Sequence, residues 1–351
     1  MATITTPNKS LTLPSGQTYA YVAIAPSDPA KATLLFLHGF PSTSHDWRLQ
    51  IPYFAAQGYG IIAPDLLGTG QTSKPTNPAA YIGTTMASDI MALVDHEAVA
   101  HGGGGGLVGI AHDWGVYVLS TLVAHHGSRF DKFVFVSASF SPPGPGLDYE
   151  TVLKVNEATE ERYGYSCFGY WLFFNSPEAG KVIGEHWESF FDLIYAADPA
   201  EWKKYVGPVN ALRSFIEADS KIEVASYATP EAKAQHHASF GSDYAAPTCW
   251  YKRSMSGLGV EEELKALEAG KIANWQVGSK LDTETLQFVG SRDPVCVAEM
   301  HKAAMHQHTK EGSLKIVEVD AGHWIQLEKA DVFNQALADF LVNGVKDRSS
   351  L

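Results

Sequence analysis

The stretch LVGIAHDWGVYVLSTLVAHH, residues 107–126, sets the tightest constraint on what this chain can fold into. An apolar run (Leu107, Val108, Gly109, Ile110) reads as a buried strand and leads almost directly to Asp113. Beyond it Val116, Val118, Leu119, Leu122 and Val123 recur in a helical apolar pattern. A strand that becomes a helix with so little loop must strain its turn residue. Small neighbours are then needed so that the turn side chain stands clear of the backbone, and Ala111 and Gly115 sit two places on either side of Asp113. Asp is also a good helix N-cap, so the turn by itself leaves open a capping acid as well as an exposed nucleophile.

Other apolar runs repeat this design. Residues 18–24, ATLLFLHG at 32–39, YGIIAPD at 59–65, DKFVFVSASF at 131–140, LQFVGSRDP at 286–294 and LKIVEVDAG at 314–322 read as strands. Helical segments separate several of them, the last at roughly 330–342. Runs that do not alternate predict strands covered on both faces in a mostly parallel, twisted sheet flanked by helices, an α/β fold. Between residues 141 and 272 the character changes. SPPGPG breaks the chain, and aromatic-rich helical stretches such as YGYSCFGYWLFF and HWESFFDLIYAADPAEWKKY follow without a convincing strand. The expected organisation is therefore a core formed by residues 1–140 and 273–351, with a helical cap at 141–272 inserted after the sixth strand. The cap would lie over the carboxyl ends of the strands, where α/β sheets place their sites.

Bulk properties exclude several partners. With 45% hydrophobic and 19% charged residues the 351-residue chain can bury a large core. A net charge of −13 disfavours nucleic acid and anionic membrane surfaces, and no apolar run is long enough to span a bilayer. Three scattered cysteines (Cys167, Cys249, Cys296) and an N-terminus without signal-peptide character predict reduced thiols and a cytoplasmic protein. The terminal Ser349-Ser350-Leu351 is only a loose match to a peroxisomal ending. The glycine run at 102–106 precedes a strand rather than a helix, which predicts a turn and not a phosphate loop. His301, His306 and His308 lack a supporting carboxylate or cysteine cluster and read as a solvated helix face. No metal or cofactor is expected.

The chemistry lies in a constellation. HGFP (residues 38–41) ends the strand LLFL and brings the Phe40 N–H beside the Asp113 turn. With the Trp114 N–H it would form a two-donor oxyanion hole. Asp293 in GSRDP and His323 in AGHW each follow a strand, so the chain order is nucleophile, acid, histidine.

These segments resemble the epoxide hydrolases of the α/β-hydrolase superfamily, and the resemblance runs over nearly the whole chain. HGFP is similar to the family's HGxP, HDWG to its nucleophile motif, and GSRDPV and AGHW to its acid and histidine segments. In the cap, FGYWLFFNSP resembles the segment carrying one ring-opening tyrosine, here Tyr170. APTCWYKRSM resembles the segment carrying the other, here Tyr251. Two positions depart from the pattern: Ala111 stands where glycine is usual, and Phe40 where tryptophan is common. The resemblance implies hydrolysis of a small apolar epoxide to a vicinal diol through an ester on Asp113, with water as co-substrate. Trp114, Trp171, Phe174 and Trp324 would contact the substrate, and a homodimer is compatible with these partners. The alternatives are a haloalkane or haloacetate dehalogenase built on the same aspartate, or a binding protein that kept the fold without turnover. Against them, Phe40 offers no halide-donating side chain, which leaves Trp171 or Trp250 as the candidate donors, and Trp114 stands where haloacetate enzymes place an arginine.

Overall fold

The computed structural model describes residues 5–97, 105–144 and 146–346. Most of the glycine run, at 102–104, and the Ser-Ser-Leu ending lie outside the described residues. Eight strands form one sheet: β1 (Lys9–Thr12), β2 (Thr18–Ile24), β3 (Thr33–Leu37), β4 (Gly60–Pro64), β5 (Leu107–His112), β6 (Lys132–Val136), β7 (Glu284–Gly290) and β8 (Leu314–Val319). Their order is β1-β2-β4-β3-β5-β6-β7-β8. β2 runs antiparallel to β1 and β4, and the other pairs are parallel. β1, with the sequence KSLT, carries one apolar residue and is mostly exposed. An edge strand of that composition has no buried face to imprint a pattern, which is why the apolar runs do not reveal it.

β3 and β5 are buried along their whole length. Side chains alternate between two apolar clusters, as the period of two along a strand requires. Leu35, Leu37, Leu107, Ala111, Phe133 and Phe135 face one cluster. Leu34, Phe36, Val108, Ile110, Val134 and Val136 face the other, which the helix Ala330–Asn343 covers with Phe333, Leu337 and Phe340. The first cluster is packed by the helices Gly83–His96 and Trp114–His126.

Between β6 and β7 the described residues contribute no strand to the sheet; they form helices running from Tyr149 to Glu268. This insertion shares the first cluster, since Trp171, Phe174, Phe190 and Trp250 belong to it together with Leu35 and Phe133. Indole donors fasten it to the sheet unit: Trp250 Nε1 donates to Leu67 O at 3.1 Å, and Trp324 Nε1 to Ile194 O at 3.0 Å. None of the described helices is long and apolar enough to cross a membrane.

Candidate active site

The turn at Asp113 has φ 51° and ψ −124°, a conformation that L-residues adopt at a cost on the order of 1–3 kcal/mol. Its neighbours explain how it is tolerated. A Cβ on Gly115 would lie 2.4 Å from Leu37 O, so only glycine lets the helix Trp114–His126 start this close to β3. A Cβ on Gly39 would lie 2.3 Å from Asp113 Oδ1. That close approach lets the Phe40 N–H donate to the same oxygen at 2.8 Å. Asp113 makes no side-chain capping bond to its helix, and its side chain keeps 17% exposure. It is an acid held outward.

Two further strand ends supply its companions. Asp293 follows β7 and His323 follows β8. His323 Nδ1 lies 2.8 Å from Asp293 Oδ2, and its Nε2 lies 3.6 Å from Asp113 Oδ2. Asp293 Oδ1 accepts from the Val295 and Cys296 N–H groups at 3.0 and 2.9 Å. Burial pushes both carboxyls up, but the charge and hydrogen bonding of His323 outweigh it and hold both below the ordinary carboxylate value. Burial pushes His323 down, yet Asp293 and Asp113 together raise it well above 6.5. The resting site is thus an imidazolium between two carboxylates.

Neutral histidines brace this triplet. His38 is buried, with a pKa lowered to about 4, and its Nε2 accepts the Leu66 N–H at 2.8 Å while Nδ1 meets Gly39 O. His112, lowered by burial to about 3, reaches His323 O through Nε2 at 3.0 Å, and Ser137 Oγ donates to the same carbonyl. Neither brace was among the residues singled out from sequence, although both histidines lie inside the HGFP and HDWG motifs.

The insertion closes the site with rings. Tyr251 is buried among Phe40, Trp114, Trp171 and Phe174, at centroid distances of 5.2, 5.1, 5.0 and 4.7 Å. Tyr170 lies 5.9 Å from Tyr251. Burial raises both phenols well above 10; the Asp113 charge adds to this at each, and each keeps its proton. A cavity of about 390 Å³ borders Asp113, Trp114, Tyr170, Trp171, Arg253 and Glu263; Tyr251 is not among its lining residues.

Several expectations need correction. Phe174 does not line the cavity, because it packs edge-on against Phe40 and Tyr251. Trp324 is also off the cavity; it is buried against Tyr195 and His112 and spends its N–H on Ile194. The Trp114 N–H makes no hydrogen bond to Asp113 as Phe40 does, and remains the first amide of its helix. His301 and His308 are not a solvated face. Both border the cavity, and Ser139 N–H and Oγ each lie 3.0 Å from His301 Nδ1, in a site that lowers its pKa to about 4 by burial. Asp293, Cys296 and His323 bring three metal-type donor atoms within 4.8 Å of one another. However, burial pushes the Cys296 thiol up to about 12, and His323 is already committed to carboxylates.

A family model described as the alpha/beta hydrolase fold matches residues 32–174. Epoxide hydrolase A from Mycobacterium thermoresistibile superimposes with a TM-score of 0.70, covering 97% of this chain and 99% of that one at 23% identity. The chain has the α/β-hydrolase fold. The chain is also similar in sequence to epoxide hydrolase 1 of Siraitia grosvenorii, 27% identical over 92% of the chain and 94% of the relative. Epoxide hydrolase srdG of Neurospora crassa is 25% identical, with 94% of each chain covered. The bifunctional epoxide hydrolase 2 of Sus scrofa is 23% identical over 93% of this chain, which spans 56% of that relative's length.

Proposed function

We propose that this α/β-hydrolase is an epoxide hydrolase that converts an epoxide to a vicinal diol through an ester on Asp113. The observation that carries the reading is the outward carboxylate on a strained turn, 3.6 Å from a histidine that another carboxylate already holds. Such a histidine cannot serve to ionise Asp113, which is ionised before any substrate arrives. Its use must come after the aspartate has reacted.

In the first step Asp113 Oδ2 attacks an epoxide carbon and the carbon–oxygen bond opens. Tyr170 and Tyr251 hydrogen-bond to the departing oxygen and supply its proton. Their raised pKa keeps that proton available at neutral pH, where a carboxylic acid would have lost it. Esterification then erases the Asp113 charge. One of the two anions that kept His323 protonated is gone, so its pKa falls; its proton passes through solvent to the tyrosinate left by ring opening, and the neutral imidazole becomes a base. His323 takes a proton from water while Asp293 fixes the ring through Nδ1. Hydroxide adds to the ester carbon, and the charge that develops on Oδ1 meets the Phe40 N–H already positioned there, with the Trp114 N–H as second donor. Collapse expels the diol oxygen, which takes the proton of the newly formed carboxyl group, so the diol leaves and the Asp113 carboxylate beside the His323 imidazolium is restored.

Residues 141–272 act as a cap, and the aromatic wall of Trp114 and Trp171 suits an apolar body on the epoxide. The cytoplasm is the proposed location. A single turnover of styrene oxide in heavy-oxygen water tests the scheme. Ordinary oxygen in the first diol, followed by label in Asp113, supports it. Solvent oxygen in the first diol means direct addition of water and refutes it. Halide release from haloalkanes or haloacetates without any diol formation would instead favour a dehalogenase.

A further inference from the structure

The cavity contains a charge that the proposed chemistry does not use. Arg253 lies on the helix Cys249–Met255, two residues beyond Tyr251, and is 7% exposed. Its Nε is buried without a hydrogen-bond partner, and the guanidinium forms no ion pair among the described residues. What it touches is the ring of Tyr117, 4.5 Å from the guanidinium carbon. A ring face offsets part of the charge but accepts few of the five N–H donors. Glu263 borders the same cavity, outside ion-pair distance, and its Oε2 accepts the Gly144 N–H at 3.2 Å. A desolvated cation with unspent donors is costly unless an anion arrives to meet it.

We infer that Arg253 anchors a carboxylate on the substrate, so that the preferred epoxides are epoxy acids. This rests on the proposed epoxide hydrolysis and adds its substrate class. Tyr117 follows Asp113 by four residues on one helix, on the order of 6 Å along the axis. Arg253 stands over that ring, so one molecule in the cavity can meet Asp113 with its oxirane and the guanidinium with its acid. An aryl epoxide with a ring carboxylate carries both groups on one rigid body. The chain's net charge of −13 repels anions from a distance, so selection of an acid requires a local cation. Guanidinium suits the task because its planar fork pairs a carboxylate through two parallel bonds.

The test compares 4-carboxystyrene oxide with its carboxamide, which has nearly the same shape and no charge. Wild-type protein is expected to favour the acid in kcat/KM by about ten- to hundredfold, the range of a charge-assisted pair, with the difference mainly in KM. In Arg253→Met the ratio of acid to amide falls to about one or below, and Arg253→Lys retains part of the preference. Equal use of the two compounds by wild-type protein, or a ratio unchanged in Arg253→Met, overturns the inference. If Arg253→Met does not fold, the wild-type ratio decides alone. Binding of 4-vinylbenzoate and its amide, measured by calorimetry, separates this inference from the proposed function. Failure to open either epoxide removes the hydrolase reading, while preferential binding of the benzoate still supports the Arg253 anchor and equal binding refutes it.

Discussion

Replacing His323 with glutamine should separate the two half-reactions of the proposed scheme. The substitution keeps a side chain of similar reach but removes the imidazolium that lies 3.6 Å from Asp113 Oδ2. At that separation the attraction is worth ~1 kcal/mol in a water-like medium and ~5 kcal/mol at an effective dielectric of 20, equivalent to about 1–3 pKa units. Burial of Asp113 then acts with less opposition, since the Phe40 N–H remains but the histidine does not. The acid limb of alkylation should therefore move up by about 1–3 pH units, with alkylation still proceeding above it. Ester hydrolysis loses its base and should slow by on the order of 10²–10⁴. Intact-mass spectrometry after mixing with styrene oxide should show one adduct per chain, and peptide mapping should place it on Asp113. An unmodified His323→Gln protein at pH 8, or an adduct that clears at the wild-type rate, would refute the reasoning.

Other perturbations address separate parts of the molecule. Tyr170→Phe and Tyr251→Phe should each slow ester formation by about 10², read as single-turnover rates, while release of a preformed ester changes little. Gly115→Ala places a methyl against Leu37 O and should destabilise the fold by about 1–3 kcal/mol, measured by urea unfolding. Asp46 is buried, its Oδ2 has no partner, and burial raises its pKa to about 6. Between its ordinary value and about 6 the folded chain retains a proton that the unfolded chain has lost, so stability falls as pH rises through that window. Asp46→Asn should gain on the order of 1–3 kcal/mol at pH 8 and little at pH 4; an equal gain at both pH values would contradict the assignment.

The sheet and the candidate trio Asp113, Asp293 and His323 were readable from the chain because their signals are local. Non-alternating apolar runs mark buried strands, and small residues around Asp113 mark a turn that must be tight. Asp293 and His323 betray themselves by following strands in the right order. What stayed hidden depends on contacts made across the fold. His301 resembles any polar helix residue until Ser139, 162 positions away, hydrogen-bonds to it. Arg253 forms a basic pair with Lys252 in the chain, and nothing in that pair foretells that its guanidinium stands over the Tyr117 ring. Phe174 and Trp324 show the converse: large aromatics beside a motif can be packing, and their neighbours in space decide which.

The apolar cluster that joins sheet residues such as Leu35 and Phe133 to insertion residues such as Trp171 and Phe190 has a consequence for how the molecule comes apart. A lobe that owns its interior can melt by itself, whereas one that borrows half its interior cannot. Loosening the inserted helices would strip the sheet of its cover, so heating should produce one shared calorimetric transition instead of two.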